Sequence, residues 1–505
     1  MFGVIRVANK LIEQFPNIKN GTEKELNDLL GQAYFLRGLC HFNLCRYFGG
    51  MPYIDYVIGA DDSWDLPRES SYETYTKAAA DLQIAYEHFA KAGIMRRNTP
   101  ENLNPGKIAL MYPNGCIALA VRARALLYAA SPLSNQNGTA DWEAAAEAAG
   151  QALQAAIDNR YELLPIDYYT TNHTGGATTN EILWGYYISQ AANVQNMAGL
   201  LSQCQSDYSG KKGASGLHPT QNFVDRFETA DGYLLRTEAD RQKAAAAGSY
   251  NEQNPYANRD PRLYETVLVP RESFPSGVVG DYNGKTYIDT WVDGAMDYDS
   301  GNFGNLADDA ATRYRKFKWM LDYSGGKMDD KMIGVSYIRL AEMYLIYAEA
   351  LAETGDLKGA LDQVHVVRSR VGLGRLEDMN PELRLTSDKD ALINEILRER
   401  NCEIGAECAD RLYDMIRRKR QDLFTRPLHG INVYRLDENG QRMTGADCRW
   451  DPSTPWPKFE YEKVRISVGA RRWWDEGYWT NKWYLDPVSR IEIQKGYGLT
   501  QNPGW

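Results

Sequence analysis

The sequence predicts a mainly α protein: a scaffold of tetratricopeptide-like helical pairs, interrupted by a long loop-rich excursion and closed by an irregular, aromatic C-terminal region. Three observations predict it. First, apolar residues at helical spacing flank a Gly-Asp turn between Val335 and Leu373. Ile338, Ala341, Leu345, Ala348 and Ala352 step by three and four before Gly355, and Leu357, Ala360, Val364, Val367 and Val371 follow it. The small residues Ala341, Ala348, Ala352 and Ala360 allow two antiparallel helices to approach closely, as a tetratricopeptide-type hairpin of roughly 34 residues requires. One hairpin cannot bury both of its faces, so neighbours of the same kind are expected. Second, helical patterns recur upstream of it. Third, the helical period vanishes from Tyr161 to about Lys331 and again beyond Arg420.

The expected organisation is a helical-repeat part over 1–160, a loop-rich aromatic excursion with short strands over 161–331, a second helical-repeat part over 332–420, and an irregular tail over 421–505. Residues 1–15 carry a stripe of Val4, Val7, Ala8, Leu11 and Phe15, broken by Pro16 and Gly21. No signal-peptide pattern precedes it, and the chain reads as though it begins mid-domain. Thr22 is placed to cap the next helix, with Leu26, Leu29, Ala33, Leu36, Cys40, Leu44 and Tyr47 on its stripe before Gly49-Gly50. Tyr72–Ala92 and Ile117–Ala130 make a third pair. Asp141 is placed to cap an alanine-rich helix whose hairpin partner is postponed to the helix expected at Val335. Within the excursion, Glu181–Trp184 and Glu265–Val269 read as strands. Asp388–Arg418 reads as a last helical segment, and seven of the twelve Trp fall between Trp450 and Trp505.

Composition narrows the function classes. In 505 residues, no apolar run approaches the ~18 residues of a membrane span, and a net charge of -10 speaks against nucleic acid as a partner. The seven cysteines include no CxxC pair, and the six histidines show no HExxH or paired-ligand spacing, so metal catalysis has no support. Gly284-Lys285-Thr286 lacks the first glycine of a phosphate loop because Val279 stands there. The content of 33 Tyr and 12 Trp calls for polar partners or a ligand.

Four segments in order resemble the SusD/RagB family of surface glycan-binding lipoproteins from Bacteroidetes-type bacteria. Residues 31–54 look like its first signature, with Ala33, Phe35, Leu36, Arg37, Phe48, Gly49 and Pro52 in register and Gln32 where glutamate is usual. Tyr337–Glu342 through Ala348-Glu349-Ala350 and Gly355, extended by Arg368 and Gly372-Leu373, is similar to the family's most recognisable helix. Glu399-Arg400, Glu403, Glu407, Arg411, Asp414 and Arg417 resemble its glutamate- and arginine-rich helix, with one extra residue between Glu407 and Arg411. Pro487 and Leu499–Trp505 resemble its C-terminus. The resemblance implies helical pairs supporting a loop-rich glycan-binding face, no catalysis, docking to a SusC-like TonB-dependent transporter, and residence on the cell-surface side of the outer membrane. A lipid anchor at an N-terminus absent from this chain is also implied.

Sugar recognition needs flat rings, because the axial C–H groups of a pyranose stack on Trp or Tyr while polar side chains meet the hydroxyls. Trp319 and Tyr264 sit in segments resembling those from which relatives present such rings. Trp291, Tyr298, Trp64 and Trp184 are further candidates. Each ring also has the plainer role of pinning a loop to the scaffold. Asn302, Asn305, Asp308 and Asp309 could meet hydroxyls or calcium, with solvated loop polarity as the simpler reading, and no cofactor is expected. Two other classes stand beside glycan binding. One is a helical-repeat interaction subunit of the transporter without its own sugar site. The other is a glycosidase, for which Asp329-Asp330 is a thin basis, since adjacency in sequence says nothing of the spacing two catalytic carboxylates need.

Overall fold

A computed structural model describes residues 1–97, 112–165, 180–188, 219–269, 291–292, 315–317, 333–405, 410–448, 450, 454–455, 457–465 and 477–505. The scaffold is an array of antiparallel helices built from α1 (Phe2–Gln14), α2 (Glu23–Phe48), α3 (Ser71–Lys91), α4 (Gly115–Ala130) and α5 (Thr139–Asp158). Each packs on the next. Thr22 caps α2 as expected: its hydroxyl accepts from the Glu25 amide at 3.3 Å, and the Glu25 carboxylate accepts from the Thr22 amide at 2.8 Å. Ser70 and Glu73 repeat the device at α3.

Helix α4 is apolar apart from Arg122 and Arg124 and is buried along most of its length. Leu119, Ala123 and Leu127 point into one core with α5, while Ile117, Val121 and Ala125 point into another with α2 and α3. Beyond α5 the chain enters the excursion, which holds strand β1 (Ile182–Ile188). There, α6 (Gln221–Val224), α7 (Glu238–Ala246) and α8 (Pro261–Thr266) add short helices to a stretch expected to be dominated by loops with short strands. Thr220, Thr237 and Asp260 cap these short helices through their side chains, and Pro261 occupies the first turn of α8. The helices are too short for a periodicity to show. Strand β2 (Val267–Leu268) pairs antiparallel with β3 (Arg315–Phe317).

Strand β4 (Ile333–Arg339) pairs antiparallel with β1, so Val335–Arg339 is strand rather than the first turn of a helix. The alternation of Val335, Tyr337 and Arg339 with small or apolar neighbours suits a pleat once β1 supplies the ladder. The helix follows as α9 (Leu340–Thr354), ends at Gly355 with φ 96°, and turns into α10 (Leu357–Ser369), capped by Asp356. Packing of α9 on α5 supplies the postponed partner and continues the array. Asp141 does not cap α5. The helix begins two residues earlier, behind Gly138, and the Asp141 carboxylate accepts from the Gln136 and Asn137 amides at 3.0 and 2.9 Å, closing the preceding turn.

The last helical segment is two helices, α11 (Lys389–Ile404) and α12 (Asp410–Arg417). The tail is not irregular throughout: β5 (His429–Leu436) and β6 (Lys458–Arg465) form an eight-pair antiparallel ribbon. Its inner residues Ile431, Val433 and Phe459 join Trp291, Leu263 and Phe227 in a separate core. Cys40, Cys45, Cys116, Cys402 and Cys448 are buried free thiols, while Cys204 and Cys408 lie outside the described residues. Among the described residues no helix is long and apolar enough to cross a membrane.

The close approach of α2 and α3 depends on Gly38. A Cβ there would lie 2.8 Å from the Ala78 carbonyl oxygen and 3.1 Å from the Asp81 side chain. Alanine would favour an isolated helix by about 1 kcal/mol, but forcing apart a packed pair costs typically ~1–3 kcal/mol, so the packing term wins. Gly38→Ala is therefore expected to lower the urea midpoint. An unchanged or raised midpoint would mean that this helix pair is not tightly packed.

Candidate functional site

At the open end of α1 a cavity of about 300 Å³ lies between the helix, the segment 52–66 and the chain at 492–499. Phe2, Tyr56, Trp64 and Tyr497 give it four partly exposed aromatic walls, with Trp64 45% and Tyr497 39% accessible. The Trp64 and Tyr497 rings are 6.0 Å apart between centroids and inclined by 38°, so together they form a shallow aromatic angle. Arg6 and Glu492 supply charge at the same walls. Such a mix of flat apolar faces and a few polar groups fits a ligand with one apolar face and hydroxyls at its rim.

A buried clamp holds the 52–58 stretch in place. The Asn9 amide donates to the carbonyls of Ile54 and Tyr56 at 3.0 and 2.9 Å and accepts from the Arg37 guanidinium at 2.9 Å. Arg37 donates to the Asp55 carbonyl at 3.0 Å and grips Asp81 with two bonds of 2.7 and 2.6 Å. The Tyr53 hydroxyl donates to the same carboxylate at 2.5 Å. His41 Nε2 accepts from the Ile54 amide at 3.0 Å, which leaves Nδ1 to donate to the Arg37 carbonyl at 2.9 Å. Burial holds this imidazole down to about 4, so it is neutral and serves as a backbone bridge.

The other wall is fastened by the C-terminal segment. Arg68 donates to the carbonyls of Gly50, Phe48 and Thr500 at 2.6, 2.6 and 2.9 Å, and the Asn502 amide donates to the Phe48 and Asp486 carbonyls at 3.0 and 2.7 Å. The first and last sequence signatures therefore meet in space. The Trp505 indole donates to the Lys482 and Leu485 carbonyls and ends the chain against this seam.

Of the six rings expected to meet a ligand, the structure places Trp64 alone, among those it describes, on a cavity wall. Trp291 is fully buried, its indole donating to the Cys448 carbonyl at 2.8 Å, and its ring packs 4.9 Å from Phe459. It is a core residue, which corrects its assignment to the ligand face. Tyr264 accepts from the Arg259 amide at 3.1 Å and donates to the Tyr256 carbonyl, so its hydroxyl ties a turn. Trp184 sits edge-on between Phe35 and Tyr337 at 5.3 and 4.8 Å and seals two cores against each other. These two rings also serve packing. Trp319 and Tyr298 lie outside the described residues, as do Asp329-Asp330 and Asn302, Asn305, Asp308 and Asp309. Tyr497, Tyr56 and Phe2 were not singled out from sequence. They reach the cavity only because the chain's two ends meet.

The described acidic residues of the glutamate- and arginine-rich segment form a second, buried constellation. Glu399 of α11 accepts from Arg262 at 2.5 Å and Arg368 at 3.1 Å, and Glu403 accepts from Arg339 at 2.6 Å and from Arg370. Asp414 of α12 accepts from Arg400 and Arg417 at 2.8 Å each, and Arg417 makes a bidentate pair with Glu349 at 2.6 Å. Burial alone would raise the Glu399 carboxyl. Arg262, Arg368 and Arg398 outweigh it and bring the group down to about 2, as Arg400 and Arg417 do for Asp414. Carboxylates held ionised by several guanidinium groups are poor proton donors, so this constellation acts as a structural lock.

Comparison with known proteins gives these features a context. The family model described as SusD family matches residues 180–505, and one described as "Starch-binding associating with outer membrane" matches residues 1–93. The chain belongs to the SusD family. It is 25% identical over 426 residues to the SusD-like protein P2 of Formosa agariphila, covering 83% of this chain and 70% of that one. Among solved structures, a SusD-like protein from Bacteroides fragilis superposes with a TM-score of 0.71 at 24% identity, over 99% of this chain and 84% of that one. A SusD-like carbohydrate binding protein from Bacteroides vulgatus gives 0.59 at 17% identity, over 99% and 82%. These structural likenesses carry the fold. In this SusD-family chain, the first and last signatures build the seam beside the aromatic cavity, and the charged signature builds the buried lock.

The lock makes a prediction about acid. Glu399 and Asp414 have folded values below their ordinary ones, so their stabilisation is complete above about pH 4.5 and is lost as pH falls towards about 2. Each is worth on the order of 2–3 kcal/mol. Urea midpoints followed by tryptophan fluorescence are expected to drop steeply between pH 5 and 3. A flat profile over that range would contradict the lock.

Proposed function

We propose that this protein binds an oligosaccharide or polysaccharide at the cell surface, without cleaving it, and passes it to a SusC-like TonB-dependent transporter in the outer membrane. Membership of the SusD family supports a carbohydrate-binding role in glycan utilisation, and the model matched by residues 1–93 supports association with the outer membrane. Lipid anchoring on the outer face and delivery to the transporter belong to this proposal. Two similar proteins of known structure, the B. vulgatus protein above and one from B. fragilis, are described as SusD-like carbohydrate binding proteins.

The observation that favours a site is the pair of exposed rings, Trp64 and Tyr497, held at an angle over a cavity with Arg6 and Glu492 at its walls. A pyranose laid on Trp64 would bury its C–H face there, with its equatorial hydroxyls turned towards the charged groups and water. The clamp through Asn9, Arg37 and His41 keeps the backbone of this wall fixed before the ligand arrives, which lowers the ordering cost of binding. Trp319 and Tyr298 remain proposed contributors on sequence grounds. A site of one or two rings open to solvent binds weakly, in keeping with a protein that must hand its ligand on.

Native affinity electrophoresis against a panel of soluble polysaccharides tests this reading. One glycan class is expected to retard the chain. Trp64→Ala should weaken that retardation by roughly tenfold, the equivalent of one stacking contact of about 1.4 kcal/mol. Retardation lost in Trp319→Ala and kept in Trp64→Ala would move the site, and no retardation by any glycan would contradict the function.

A further inference from the structure

A second cavity, of about 230 Å³, shares no residue with the aromatic one, and six of its nine lining residues are arginine, the others being Asn394, Leu397 and Leu423. Arg226 comes from the turn after α6, Arg236 from the segment before α7, Arg398 from α11 and Arg411 from α12. Arg420 and Arg426 follow α12. Three of the six are neutralised. Arg236 pairs with Glu395, Arg398 with Glu395 at 2.7 Å and Glu228 at 3.3 Å, and Arg420 with Asp422 at 2.7 Å. Among the described residues, the other three have no carboxylate within ion-pair reach. Both terminal nitrogens of Arg411 and the Nε of Arg426 are buried without any hydrogen-bond partner.

The nearby carboxylates are already engaged. Asp225 accepts from Lys463 at 2.8 Å and from Gln221, and Asp414 is held between Arg400 and Arg417. Burial and the neighbouring Arg426 and Arg420 outweigh Asp414 and hold the Arg411 guanidinium down to about 10, and burial followed by Arg411, Arg426 and Arg398 lowers Arg226 as well. At about 10, Arg411 stays charged at neutral pH. Buried unpaired cations are strongly disfavoured unless an anion completes them. Elsewhere in the protein Arg262, Arg339, Arg368 and Arg417 are buried against at least two carboxylates each, while buried Arg259 is satisfied by the Pro255, Val224 and Phe227 carbonyls.

We propose that this arginine-lined cavity is an oxyanion site that takes a sulfate or phosphate group, free or carried as an ester on a sugar. Converging planar guanidinium forks suit the oxygens of such a group, and each can donate two parallel bonds. Among its lining residues, Arg236 and Arg420 have side chains 33% and 23% accessible, whereas both terminal nitrogens of Arg411 are buried. The site is independent of the sugar reading of the Trp64 cavity.

Thermal unfolding and isothermal titration of the full chain test it, with sodium sulfate, sodium phosphate, glucose 6-sulfate and glucose, each against sodium chloride at matched ionic strength. Sulfate or phosphate is expected to raise the midpoint saturably, and Arg411→Gln or Arg426→Gln to weaken that affinity at least about tenfold. Without oxyanion, Arg411→Gln should be as stable as the parent or more so, because it removes an uncompensated charge. Glucose 6-sulfate binding more tightly than inorganic sulfate would assign the site to sugar esters, and the reverse to the free ion. Equal responses to sulfate and chloride, or a sulfate response unchanged in both variants, would overturn the proposal. So would a sulfate response that appears only in Glu407→Gln, since a carboxylate of the chain itself would then complete the cluster.

Discussion

One buried lattice of guanidinium and carboxylate groups fixes the start of β1, the end of β4 and helix α8 against the helical array. Helix α11 contributes Glu395, Arg398, Glu399, Arg400 and Glu403, all buried, in under three turns. Through Glu399 it holds Arg262 of α8, and through Glu403 it holds Arg339 at the end of β4 and Arg370 beyond α10. Glu181 closes the circuit from the start of β1 by accepting from Arg339 at 2.7 Å and Arg370 at 2.8 Å. Removing two opposite charges from water costs more than a simple contact returns, so such a lattice adds little net stability over an apolar core. Its consequence is positional. Each guanidinium must meet its oxygens in plane, which sets the loop-rich segment against the helices at one register, and deleting one partner strands the other.

The helical array provides what that lattice grips. Alanine-rich faces on α4 and α5 bring helices near enough for Arg124 to cross from α4 to Glu342 on α9, with its Nε at 2.9 Å from the carboxylate. At the other end of the array, α1 and α2 carry the Asn9, Arg37 and His41 clamp that shapes the aromatic cavity. The cavity wall is thus an outgrowth of the scaffold. The stretch leading to its exposed Trp64 ring is hydrogen-bonded at residues 54–58 to side chains of α1 and α2.

Much of the scaffold was legible in the sequence because its signals are local. The stripe from Ala341 to Ala352, the Gly355 turn and the Thr22 cap each act within a few residues, and each holds. Strand β4 was not legible: a run such as Val335-Ser336-Tyr337-Ile338-Arg339 satisfies both periods, and its partner β1 lies some 150 residues away. The same limit applies to the ligand face. Trp291 and Trp64 are equally aromatic and equally surrounded by polar residues in sequence, and only the β5–β6 ribbon, which buries the first, separates core from surface. Tyr497 escaped notice because its proximity to Trp64 is made by long-range bonds such as Arg68 to Thr500. The arginine excess around Arg411 was likewise invisible, since sequence shows charges and not which of them find partners.

The central claim is that a glycan lies on the wall formed by residues 52–66 and 491–499. Hydrogen–deuterium exchange of the full chain, with and without saturating oligosaccharide from whichever polysaccharide retards it, measures this directly. The account predicts added protection of backbone amides in those two segments together. Protection confined to other segments, with 52–66 and 491–499 unchanged, would contradict it.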